Sequence, residues 1–241
     1  MVQAGQITFY THVYSPYCHR VHLALEEAKA DYTAFSINLM ARPPWYATKV
    51  NPAGKIPAIT YGGPKGNPED PSPEAAMINE SLVILEFLNE LFPEAKLLPA
   101  DPVLRAHARL FTTVWETKGT DGFRAFFFRY AQSEGAEKTL LEGLEAVQAR
   151  LPATGFAVGG WSNADAAVAP FLVRVEMLLK NDLGVFPVGE GLKVYKELQD
   201  TKFARLRKYL EDVKEYPTFK ATWDEAAQFD IWSKNPMFKR E

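Results

Sequence analysis

Strand-like patterning is confined to residues 1–95 of this 241-residue chain, and beyond a proline-rich break the pattern is helical. That division dictates two structures in series, a small α/β domain and then an all-α domain. "QITFY" at 6–10 is β-branched and aromatic-rich and reads as a strand; "YSPY" at 14–17 breaks it. A helix follows. Ser15 before Pro16 forms an N-cap and N1 pair, and Tyr17, Val21, Leu25 and Ala28 then recur on one face. "DYTAFSINL" at 31–39 alternates as a second strand, so residues 6–39 make a β-α-β unit. "NPAGKIPAITY" at 51–61 is a turn entering a short strand, residues 62–75 form a Gly/Pro-rich surface loop, and "SLVILEFLNELF" at 81–92 is a helix apolar round much of its circumference. Residues 96–102 are the linker. The second domain, 103–241, carries helical patterns near 102–131, 134–150, 162–181, 200–214 and 217–229. Ser162 followed by Asp165 gives the third of these a capping-box start.

Composition narrows the partners. The formal net charge is −3, with 24% charged residues interleaved in sign, so the chain offers no basic footprint for nucleic acid or anionic lipid. No apolar run approaches the ~18 residues of a membrane span, and "MVQAGQITFYTH" lacks the basic and apolar regions of a signal peptide. A single Cys allows no intramolecular disulfide and favours a reducing compartment, so a cytoplasmic protein acting on small molecules is expected.

Three stretches carry chemistry. "SPYCHR" at 15–20 places Ser15 where the first Cys of a C-x-x-C redox motif would stand, which removes the two-thiol cycle. Two uses of Ser15 remain: a plain N-cap, or a hydroxyl that donates to an anion such as a thiolate at the positive end of a helix. In "VNPAGKIPAI" the Ile56–Pro57 bond sits between a Gly turn and a strand, where a cis proline would turn the Ile56 backbone outward as a peptide-binding edge. "NES" at 79–81 puts Glu80 and Ser81 at a helix mouth, an acid for an ammonium and a hydroxyl for a carboxylate. Together they describe a receptor for a small zwitterionic peptide bearing a thiol.

In these motifs and their order the chain resembles the cytosolic glutathione transferases along essentially its whole length. "SPYCHR" resembles the omega-class Cys-Pro-Phe/Tyr-x-x-Arg motif with serine in place of the catalytic cysteine, as in serine-bearing omega-like enzymes of wood-decaying fungi. The resemblance implies a thioredoxin-like domain followed by a helical domain, a homodimer, and glutathione bound as a substrate. It implies that Ser15 stabilises the glutathione thiolate and that Ile56, in its turn with Lys55 and Pro57, pairs with the cysteinyl backbone. Glu80 and Ser81 would hold the γ-glutamyl end, and Arg42 would lie near the glycyl end. The family places the helix bearing "WETKGTDGFRAFFFRY" over its active site, so Trp115, Phe123 and Phe127, with Tyr17 and Phe171, are expected to line an aromatic acceptor pocket. Conjugation of glutathione to hydrophobic electrophiles is the expected activity, with a glutathione-dependent peroxidase activity beside it; the alternative is a ligandin carrying polyphenols or other hydrophobic molecules. Cys18 reads as a buried, inert thiol. The sequence identifies no third group to orient His19 as a base for Ser15 and has no G-x-S-x-G, and His12, His22 and His107 lack metal-ligand spacing, so no metal is expected.

Overall fold

The structure is a computed structural model describing residues 5–238 and 240. It divides into two compact units, Met1–Leu97 and Leu98–Glu241.

The first unit is built on a four-stranded sheet ordered β2-β1-β3-β4, from strands β1 (Ile7–Thr11), β2 (Tyr32–Ser36), β3 (Ala58–Tyr61) and β4 (Ala76–Asn79). β1 and β2 run parallel, joined by helix α1 (Pro16–Glu27), as a β-α-β crossover requires. β1 pairs antiparallel with β3, and β3 with β4. A short α2 (Pro44–Lys49) and an α3 (Ser81–Leu91) packed on α1 complete the thioredoxin-like domain. Ile7, Phe9, Val21, Leu25, Ile59, Ile84 and Leu88 are buried in its core. Two of these elements, α2 and β4, have no counterpart in the sequence reading. Strand β2 is also shorter than the predicted 31–39, because Asn38 caps a 3₁₀ turn over Leu39–Ala41.

That topology fixes where functional groups can gather. Antiparallel pairing sets Tyr10 beside Ala58 and Ala58 beside Asn79. The carboxyl end of β1, the start of β3 and the end of β4 therefore share one end of the sheet. Ser15, Ile56–Pro57 and Glu80–Ser81 follow or precede those strand ends directly.

The second unit is helical: α4 (Pro102–Val114), α5 (Thr120–Phe128), α6 (Ala136–Gln148), α7 (Asn163–Lys180), α8 (Glu190–Leu198), α9 (Ala204–Glu215), α10 (Pro217–Thr222) and α11 (Glu225–Ser233). The helix predicted as continuous over 102–131 is interrupted by a π turn at Trp115–Gly119, where Thr120 N–H reaches back to the Trp115 carbonyl. Gly119 makes the turn sterically feasible, because the Trp115 ring occupies the space a Cβ would need. α7 starts on the predicted capping box: Ser162 accepts from Ala164 N–H, and Asp165 accepts from Ser162 N–H at 3.0 Å. Asp165 is fully buried and also accepts from Ala157 N–H (2.8 Å), the Ser162 hydroxyl (3.1 Å) and the Tyr209 hydroxyl (3.0 Å). Even so, burial outweighs these bonds and pushes its carboxyl up to about 6. Among the described residues, no helix is long and apolar enough to cross a membrane.

Candidate functional site

Ser15 caps α1 in extended geometry (φ −74°, ψ 118°), with Pro16 as the first helical residue. Its N–H donates to the His12 carbonyl at 3.1 Å and its carbonyl accepts from His19 N–H at 3.0 Å. The Ser15 Oγ accepts from Cys18 N–H at 3.2 Å. That bond fills one of the two lone pairs of the hydroxyl and leaves its O–H available as a donor. Ser15 is 6% exposed and Cys18 1%, so the lone thiol lies inside while the cap sits at the surface of the core. Beside it, burial holds the His12 imidazole below its ordinary range, and the His12 ring lies tilted at 45° to Tyr14 with centroids 4.2 Å apart, while burial pushes the Tyr14 phenol up.

The turn before β3 is held from three sides. The Lys55 carbonyl accepts from the Tyr46 hydroxyl (2.7 Å) and from Asn51 Nδ2 (2.8 Å), while Arg42 Nη1 donates to the Gly54 carbonyl at 2.9 Å. Gly54 has φ +64° and its α-carbon faces the Arg42 guanidinium, so any side chain there would displace Arg42. The Ile56–Pro57 peptide is cis, and both residues are buried; Lys55 and Arg42 are exposed. Tyr46 and Asn51 were not singled out from sequence. The Asn-Pro start of an Asx turn was the available signal for Asn51.

Glu80 adopts φ +67°, ψ 112°, which non-glycine residues seldom visit, and this bend swings the chain from β4 into α3. Its side chain is exposed and no side chain caps α3, so the first-turn N–H groups remain open to an anion. Ser81, 6% exposed, accepts from Arg20 Nη1 at 3.1 Å. Arg20 is 1% exposed and also lies over the half-buried Tyr17 ring at 5.1 Å. Ser15, Tyr17, Arg42, Lys55, Ile56, Pro57, Glu80 and Ser81 therefore all belong to the first unit, and its sheet gathers the principal ones at one end.

Residues 14–91 match the family model described as the N-terminal domain of glutathione S-transferase. Glutathione transferase Omega 1C from Trametes versicolor is 44% identical to this chain with a TM-score of 0.92, covering 98% of this chain and 99% of that one. This chain belongs to the glutathione transferase family. Omega 2S from the same organism, solved in complex with 2,4-dihydroxybenzophenone, is 45% identical with a TM-score of 0.89, covering 97% and 99%. Pyrimidodiazepine synthase from Drosophila melanogaster is 28% identical over 228 residues, 92% of this chain and 82% of that protein.

In this glutathione transferase the aromatic residues expected to line an acceptor pocket take a different place. Trp115, Phe127 and Phe171 are fully buried and Phe123 is 6% exposed. Trp115 packs on Phe171 at 5.2 Å, and Phe123 on Phe127 at 5.2 Å and on Phe171 at 5.9 Å. These rings pack on one another in the core of the helical unit, with the Trp115 ring against Gly119. Of the five pocket candidates only Tyr17 is part-exposed.

Proposed function

We propose that this glutathione transferase activates glutathione through Ser15 and conjugates it to hydrophobic electrophiles. The observation that carries the reading is the Ser15 hydroxyl, held at the positive end of α1 by accepting from Cys18 N–H at 3.2 Å. Its O–H donates a hydrogen bond to the incoming thiolate, which keeps the sulfur ionised. The outward face of the Ile56 turn meets the cysteinyl backbone of glutathione, the uncapped start of α3 with Glu80 and Ser81 meets the γ-glutamyl end, and Arg42 meets the glycyl carboxylate. The thiolate sulfur attacks an electrophilic carbon and forms a C–S bond; the displaced group leaves as an anion or, with an isothiocyanate, the adduct nitrogen takes up a proton. With a hydroperoxide, two glutathiones would instead give the disulfide, an alcohol and water. The buried single thiol suits a reducing, cytoplasmic setting.

Depressing the glutathione thiol pKa by one to two units corresponds to ~1.4 to 2.8 kcal/mol. Ser15→Ala should therefore slow conjugation roughly 10 to 100-fold, as loss of one charge-assisted bond does. The pKa of the rate profile should rise towards that of free glutathione. An unchanged rate and pKa in Ser15→Ala would make Ser15 a cap alone.

A second reading is favoured by the relative solved with 2,4-dihydroxybenzophenone: a ligandin that carries polyphenols and turns over slowly. Tight polyphenol binding with no conjugation across a panel of electrophiles would select it. The exposed apolar side chains Met77 and Val83 of the first unit, and Val103, Leu104 and Leu110 of the second, support a homodimer; sedimentation equilibrium giving a monomer would refute that.

A further inference from the structure

α1 supplies a donor to each of two serine hydroxyls. Cys18 N–H, from the third helical position, occupies the acceptor side of Ser15, and Arg20, from the fifth, occupies that of Ser81. A hydroxyl has one proton and two lone pairs; a donor on one lone pair fixes the oxygen in place, and towards an anion, which has no proton to give, the hydroxyl can only donate. Arg20 does more than hold the oxygen. Its guanidinium is 1% exposed, and a charged donor in a low-dielectric setting polarises the hydroxyl it touches, which strengthens the next bond in the chain. The Ser81 hydroxyl opens on the uncapped first turn of α3, where unpaired N–H groups already favour an anion.

We propose that Arg20 is a positioning residue that orients and polarises Ser81 as a donor to the α-carboxylate of the γ-glutamyl end of glutathione. This rests on the assignment of Ser81 to that end made above. Arg20 acts through Ser81 and touches no ligand itself. Arginine and lysine are not equivalent here, because the rigid guanidinium holds Nη1 against the Ser81 hydroxyl in a geometry that a flexible ammonium does not reproduce.

The test is a double-mutant cycle read on two ligands by calorimetry: glutathione, and γ-aminobutyryl-cysteinyl-glycine, which lacks only the γ-glutamyl α-carboxylate. Ser81→Ala and Arg20→Gln should each weaken glutathione by roughly 10-fold, and the double variant should be little weaker than either single one. Affinity for the decarboxylated analogue should stay within about 3-fold throughout. Arg20→Lys keeps the buried charge but not the fork, so it serves if Arg20→Gln does not fold; it should lose glutathione affinity several-fold and leave the analogue unaffected. Equal losses on both ligands would mean that Arg20 only holds the fold together, and losses that multiply in the double variant would mean that Arg20 and Ser81 act independently; either result overturns the proposal. So does unchanged glutathione affinity in Arg20→Lys. If Ser81→Ala alone leaves glutathione binding unchanged, the assignment of Ser81 fails first, and the proposal falls with it.

Discussion

Replacing Asp165 by Ala tests whether a buried charge or the bonds around it governs the start of α7. Four donors lose their acceptor: the Ala157 and Ser162 amides, which cannot turn away, and the Ser162 and Tyr209 hydroxyls. At ~1 to 3 kcal/mol for each stranded amide and ~1 for each hydroxyl bond, the gross loss is ~4 to 8 kcal/mol. Against it stands the cost of the charge. The Asp165 carboxyl is raised from 3.8 to about 6 on folding, so between those values the folded state binds the extra proton. Stability from this group is greatest below pH 3.8 and falls as pH rises, by about 3 kcal/mol once the folded group is ionised. The Ala variant escapes that cost, which leaves a net loss of ~1 to 5 kcal/mol at pH 8. About half of the ionisation cost, on the order of 1 kcal/mol, arises between pH 5 and pH 8, so the gap between wild type and variant should be larger by that amount at pH 5. Urea unfolding followed by tryptophan fluorescence at the two pH values measures both numbers. A gap that widens towards pH 8 would show that the four bonds hold the carboxylate below its ordinary range, and the reasoning from burial would be wrong.

Two further outcomes are expected. Ser15→Cys should gain thioltransferase activity and form a mixed disulfide with oxidised glutathione, because a thiol at a helix N-terminus is acidified; mass spectrometry finding the adduct on Cys18 in the wild type would contradict the burial of that thiol. Gly122→Ala should lower stability by ~1 to 3 kcal/mol, measured by thermal melting, since its Cβ would stand 2.6 Å from the Leu140 α-carbon and 2.8 Å from the Thr139 carbonyl. A neutral substitution there would mean that α5 and α6 can separate without cost.

What could be read from the sequence was what is local. Ser15–Pro16 and Ser162 with Asp165 announce helix starts within four residues, and both helices begin there. α8 escaped notice because Gly189, at φ +93°, caps it without a side chain, leaving no start signal in the letters. β4 is four residues long and follows a long loop; it is a strand only because β3 lies beside it. The π turn depends on Trp115 meeting Gly119, and the expectation that the aromatic residues around it line a pocket rests on the family resemblance, since a dense run of rings looks alike whether it faces a ligand or other rings. The bond from Arg20 to Ser81 spans 61 positions of sequence. Only a folded chain brings those two together, so Arg20 is legible in the sequence as a motif letter and not as the partner of Ser81.

The β3–β4 ladder runs from Ala58 opposite Asn79 to Tyr61 opposite Ala76, and the loop 62–75 leaves from its far end. Ile56, Glu80 and Ser81 lie at the other end, four paired residues away. The loop's middle is moored by the Tyr10 hydroxyl donating to the Pro68 carbonyl at 2.7 Å and by Lys49 meeting Asp70, while Gly62 and Gly63 at its root take positive φ. Lengthening an already open loop adds little closure entropy, about 0.6 kcal/mol per doubling. The segment between Gly63 and Asn67 is thus a seam where a fluorophore tag, an epitope or a whole reporter domain can be grafted into this transferase, leaving both serines and the cis turn in register.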